Sequence, residues 1–225
     1  MLTNVVFVAT VAAVAVLLSL ALRRARVSRA VTFVVFLVMI VAPGALARAG
    51  VLDRYSPLPA PALVMVGVVT IFTVAIAFSS IGGRIVAAVP LVWLIGYQAF
   101  RIPVEWVLHR LYLEDVVPVQ MTYAGRNFDI VTGLTAVALA LFLRSGRRAT
   151  ALVLIWNLLG LALLANIVTI AVLSTPAPFR YFTDTPPHVL PSTFPFVWLP
   201  TFLVQAALFG HILVSRTLLA GFVQK

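Results

Sequence analysis

The chain has 225 residues, of which 63% are hydrophobic and only 10% charged, with a net charge of +10 and no cysteine. Its mean hydropathy of +1.13 is far above that of a soluble domain. Together these values exclude a soluble globular protein, and the missing thiols exclude disulfides, iron–sulfur clusters and thiolate-held zinc.

The apolar runs are continuous rather than alternating, so they predict helices and not the strands of a barrel. Lipid offers the backbone no hydrogen-bond partner, which leaves the helix as the spanning element. Seven spans are predicted, near 4–22, 30–47, 61–79, 85–112, 128–143, 149–173 and 196–218. The first lacks a basic leader, and its charges, from Arg23 onward, follow the apolar run. That polarity fits a retained helix with its N-terminus outside rather than a cleaved signal. The segment from Leu52 to Ala62 carries Pro57, Pro59 and Pro61. Span four is long and contains Pro103, so a kink or tilt is predicted there. Span five opens with Arg126-Asn-Phe-Asp129, and Gly133, Ala136 and Ala140 share one face, a spacing that lets helices approach closely. In span six, Asn157 and Asn166 lie on opposite faces and read as interhelical glue. The connection from Ser174 to Pro195 is rich in proline and aromatic residues, which makes it stiff and extended. It reads either as a cover over the outer mouth of the bundle or as a rigid connector. Span seven adds Gln205, His211 and Ser215. The expected fold is all-α, a seven-helix transmembrane bundle in a single domain, 1–225.

Arginine placement orients it. The connections after spans one, three, five and seven hold Arg23, Arg24, Arg26, Arg29, Arg84, Arg144, Arg147, Arg148, Arg216 and Lys225, with no acidic residue. The other connections offset their arginines with Asp53, Glu114, Asp115 and Asp184. By the positive-inside rule the first set is cytoplasmic, the N-terminus is outside and the C-terminus inside. The expected location is the inner membrane of the cell. This clustering of basic residues in short loops argues against nucleic-acid binding, and the bilayer is the expected partner. The only lysine, Lys225, lies outside every span, which excludes a retinal pigment.

The most informative segment is Gly96 to Tyr112. At 100° per residue, Gln98, Arg101, Glu105, His109 and Tyr112 fall within an arc of roughly 80° on one helix face. A charged stripe on a spanning helix is costly unless it faces protein or water. Glu105 is placed roughly 30 Å above the start of span four, near the outer interface and at the depth of Asp129. Arg101 can hold an anion or orient a carboxylate, Glu105 can act as base or ligand, and His109 can carry a proton. Equally, Arg101 can simply neutralise Glu105 or Asp129 and pin two helices together. Glu105, His109, Asp129 and His188 are metal-ligating residue types, but Arg101 opposes a nearby cation, so no metal is expected. No cofactor is expected either, since neither Walker nor Rossmann glycine patterns occur and no Gly-x-Ser-x-Gly marks a nucleophile.

Phe100-Arg-Ile-Pro-Val-Glu105, Pro118-Val-Gln-Met-Thr-Tyr, Gly125-Arg-Asn-Phe-Asp-Ile130, Ile155-Trp-Asn157, Leu164-Ala-Asn-Ile-Val168 and Pro195-Phe-Val-Trp-Leu-Pro-Thr-Phe-Leu-Val204 with His211 form a pattern. It resembles a family of bacterial multi-span membrane proteins of about seven helices with no assigned function. Thr185-Pro-Pro-His188 and Gln205 stand apart from that pattern. The resemblance implies that Arg101, Glu105, Asn127 and Asp129 act as one unit. The candidate ligand-binding set is therefore Gln98, Arg101, Glu105, His109, Asn127 and Asp129, in an outward-facing pocket on helices four and five that binds or moves a small polar molecule, ion or lipid headgroup. The competing readings are an intramembrane lipid hydrolase and a structural or sensory bundle without ligand chemistry.

Overall fold

A computed structural model describes residues 1–56, 58–146 and 149–223. Pro57, Arg147, Arg148 and Lys225, which enter the sequence reading, lie outside the described residues. The described chain is helical and contains no strand. Eight helices follow one another: α1 Leu2–Arg24, α2 Arg29–Arg48, α3 Pro61–Phe78, α4 Ser80–Ala88, α5 Leu91–Leu113, α6 Ile130–Arg144, α7 Thr150–Ser174, and α8, whose π-helical first turn Leu199–Leu203 runs into Val204–Val223. Five of them (α1, α2, α3, α7 and α8) are long and apolar enough to cross a membrane, and α4 with α5 makes a sixth, bent candidate. The seventh expected segment is helix α6, of 15 residues. At 1.5 Å per residue it covers about 22 Å, less than the ~30 Å of a hydrocarbon core.

The bend in the fourth segment does not fall at Pro103. It falls between α4 and α5, which meet at 108°. Val89 is extended, with φ −110° and ψ 120°, because the ring of Pro90 disfavours helical geometry in the residue before it. Pro103 sits in the first turn of regular α-helix, just after the tight 3-10 turn Tyr97–Phe100, where a missing N–H costs little. The distance from span start to Glu105 must therefore be counted from Leu91, which shortens it to about 21 Å.

α8 is the central helix, with 61% of its apolar window buried, and it packs against α3, α4, α5 and α7. Around it the apolar core divides into two large clusters, with a smaller third formed by Ala47, Leu52, Tyr55, Ala60, Ala62 and Val197. One large cluster contains Phe7, Val104, Leu108, Leu164 and Phe202, and the other contains Leu22, Ile85, Ile95, Trp156 and Leu213. Helices α1, α5, α7 and α8 each contribute to both. Several buried polar side chains of α5, α7 and α8 fall at the crossover: Gln98 and Arg101 between Ile95 and Val104, Asn157 beside Trp156, His211 between Ala207 and Leu213. Irregular backbone also enters the interior. Between α5 and α6, Gln120, Met121, Thr122 and Asn127 are all buried. Non-helical chain is tolerated at such positions only when protein surrounds it.

Candidate functional site

Three pieces of chain meet at one point. α5 supplies Arg101 and Glu105, the buried connection supplies Asn127, and the N-terminal end of α6 supplies Asp129. α5 and α6 come this close because Gly133 faces Ile102; a Cβ there would lie 3.0 Å from Ile102 Cγ1 and 3.3 Å from Arg101 Cβ. Gly133, Ala136 and Ala140 thus do the packing their spacing implied, and Gly96 faces Ala140 in turn.

Arg101 Nη1 donates to Asp129 Oδ1 in an ion pair whose side chains are 2% and 8% exposed. Glu105 makes no such pair. Its two oxygens accept from Asn127 Nδ2 at 2.9 and 2.8 Å. Asn127 is the hub: Nδ2 also donates to Met121 O at 3.0 Å, and Oδ1 accepts from the Asp129 backbone N–H at 3.0 Å. The carboxylate on α5 and the one on α6 are therefore joined through a single asparagine. Arg101 is less well served. Its Nε and Nη2 are buried with no hydrogen-bond partner. A guanidinium has five N–H donors, and leaving them unmet in a buried site costs more than any one bond there returns.

Beside this cluster lies a cavity of about 320 Å³. Arg101, Glu105 and Asp129 line it, together with His188 from the last connection and Gln205 from α8. Apart from Thr70 and Thr175, the rest of its wall is apolar, including Leu161, Leu164, Leu203 and Val204. Gln205 donates to Thr70 Oγ1 at 3.0 Å and Pro200 O at 2.9 Å, and its own Oε1 is buried and unpartnered. His188 is 2% exposed, and burial pushes its pKa down to about 3, so the ring is neutral at ordinary pH. The last connection is fixed where it covers this cavity: His188 N–H donates to Ser174 O at 2.8 Å, and Gln120 Nε2 donates to Ser174 Oγ and Thr185 Oγ1.

Of the six candidate residues, Arg101, Glu105, Asn127 and Asp129 converge. Gln98 stands apart, donating to Ala207 O at 3.0 Å across the α5–α8 contact. His109 stacks on Tyr123 with ring centroids 4.4 Å apart, also away from the cavity wall. Gln205 completes the cavity, although the sequence marks it only as a polar residue of span seven that stands apart from the family pattern. A second polar cluster joins α7 and α8: His211 Nδ1 meets Asn157 Oδ1 at 2.8 Å, and Asn157 Nδ2 donates to Ser215 Oγ at 2.8 Å. Among the described residues no three histidine, aspartate or glutamate side chains gather as a metal set.

No curated protein and no solved structure matches the chain. Residues 58–219, which hold every residue of this cluster and of the cavity wall, match one family. The chain belongs to that family, described as a domain of unknown function, DUF8737.

Proposed function

We propose that this multi-pass protein of the inner cell membrane binds a small amphipathic molecule in the 320 Å³ cavity, with a hydrogen-bond-accepting head against Arg101 and an apolar body along α7 and α8. The observation that carries the reading is the pair of unpartnered Arg101 donors, Nε and Nη2, on a residue that lines a cavity with mostly apolar walls. Small-molecule sites have this composition, with mostly apolar walls and a few placed polar groups. Half-buried Leu63 and Val66 on α3 and Leu161 and Val168 on α7 form the rim, so a ligand enters sideways, from the region lipid occupies. Asp129 holds the Arg101 guanidinium that meets the head, Asn127 ties Asp129 to Glu105, and the cavity lies in the half of the bundle that faces outward under the arginine rule.

The test is untargeted mass spectrometry of small molecules that co-purify in mild detergent. Wild type should retain a distinct amphipathic compound. R101M/D129L, which removes both charges together, should fold and lose it. If wild type retains nothing and R101M/D129L is at least as stable, the cluster is a structural ion pair and the binding reading fails.

A further inference from the structure

A larger cavity than the one beside Arg101 lies elsewhere. It is a groove of about 560 Å³ running along α1, walled by that helix and by α2, α3, α4, α5 and α8. Its floor and sides are apolar: Leu17 and Ala21 on α1, Trp93 on α5 and Phe202 on α8. Leu17 and Trp93 are 40% and 59% exposed, so the groove is open along its side. At the end where α1 finishes, the lining changes to Arg23 and Arg24, both exposed. Arg84 donates to Arg26 O at 3.2 Å, which brings two more guanidinium-bearing residues to the same end. Among the described residues none of these four has a carboxylate within 4.0 Å, and no aspartate or glutamate lines the groove.

An apolar slot ending in unneutralised arginines has the polarity of one molecule, a lipid with an anionic head. We propose that the groove holds an acyl chain of a bilayer phospholipid whose anionic headgroup sits on Arg23 and Arg24. The chain lies against Leu17, Ala21 and Phe202, and Trp93 stands at the rim, where an indole suits the boundary between chains and headgroups. This site is separate from the Arg101 cavity. The two share only Gln205, and neither arginine of the groove touches the other site.

The experiment reconstitutes the full chain in nanodiscs of equimolar phosphatidylglycerol and phosphatidylcholine, then releases it for native mass spectrometry. Wild type should retain phosphatidylglycerol over phosphatidylcholine by about thirtyfold, the order expected for two basic side chains beside an anionic head. R23Q/R24Q changes only exposed side chains and should fold. It should keep a bound lipid but lose the preference. Ala21→Phe fills the slot and should lose the lipid, while its melting temperature reports whether the fold survives. Equal retention of the two lipids by wild type overturns the proposal. So does displacement of phosphatidylglycerol by glycerol phosphate, which would make this a phosphate site without a chain. A protein dimer in place of bound lipid also overturns it, because a second copy would then be the occupant. Loss of the R101M/D129L-dependent compound leaves this result untouched, so the two sites fail independently.

Discussion

At the scale of single residues, the physics of an intramembrane charge decides most of the outcome. Arg101 and Asp129 are both buried, and each is the other's only counter-charge within 4.0 Å among the described residues. Removing one leaves the other uncompensated, so R101M or D129L alone should lower stability by about 3–5 kcal/mol, whereas R101M/D129L together should recover most of it. Thermal melting of the three variants in one detergent checks this, and a double variant no better than the singles would mean that neither residue is the other's main partner. The pairing was legible because a lone charge in lipid is too costly to stand. The role of Asn127 as hub was legible only through the resemblance, since nothing in its spacing says that it reaches Glu105. Gln98 and His109 share the helical arc, but an arc fixes a face and not a depth. They are eleven positions apart, about 16 Å along the axis, longer than one compact cluster. His188 yields a pH prediction. Its folded pKa is about 3, against an unperturbed 6.5. Between those values the unfolded chain binds a proton that the folded chain does not. Stability should therefore be intact above pH 6.5 and fall as pH drops below it, by about 1.4 kcal/mol per unit. Melting curves from pH 7 to 5 should show this slope in wild type and a shallower one in His188→Gln.

Elements show where sequence periodicity stops being informative. A run of apolar residues predicts a helix but cannot place a break inside it, and Pro90 and Pro103 look alike on composition. They act differently because Pro90 follows a residue that is free to become extended, while Pro103 falls in the first turn of a helix. The two π-helical turns, Leu37–Val41 and Leu199–Leu203, were also invisible. They face each other, and Trp198 Nε1 donates to Ile40 O at 2.9 Å beside Gly44, whose Cβ would lie 3.2 Å from that nitrogen. The break between α3 and α4 depends on a similar fit. Arg216 Nη1 donates to Ala77 O and, at 3.1 Å, to Ser79 O, capping the carbonyl end of α3. A Cβ on Gly82 would collide with Ala77 O and come within 2.6 Å of Arg216 Nη1. Gly67, inside α3, has nothing within 4 Å of that point. Gly82→Ala should thus destabilise by more than about 2 kcal/mol, whereas Gly67→Ala should stabilise by about 0.5–1 kcal/mol through helix propensity. Paired melting measurements decide it, and equal effects at the two positions would remove the Arg216 cap as the reason for the break.

Over the whole molecule the two ends differ in charge, and the structure shows which segments share an end. Thr3 Oγ1 donates to Glu114 Oε1 at 3.2 Å, so the start of α1 lies beside the end of α5. Arg110 approaches the same carboxylate at 3.8 Å. At the other end, Arg84 reaches Arg26 O and Arg216 reaches the end of α3. The segments joined there carry arginine and no acid, while Glu114, Asp115, Asp53 and Asp184 lie on connections assigned to the opposite side. Basic short loops are retained in the cytoplasm, so the expected topology has the α1–α2 turn inside and the α5–α6 connection outside. The chain has no cysteine, so one introduced thiol gives an unambiguous signal. Glu114→Cys and Asp184→Cys should react with a membrane-impermeant maleimide added to spheroplasts. Ser28→Cys and Ser145→Cys, both on exposed turns, should react only after permeabilisation. Labelling in the reverse order would invert the bundle. It would place Arg23 and Arg24 outside, and the lipid of the α1 groove would then have to come from the outer leaflet.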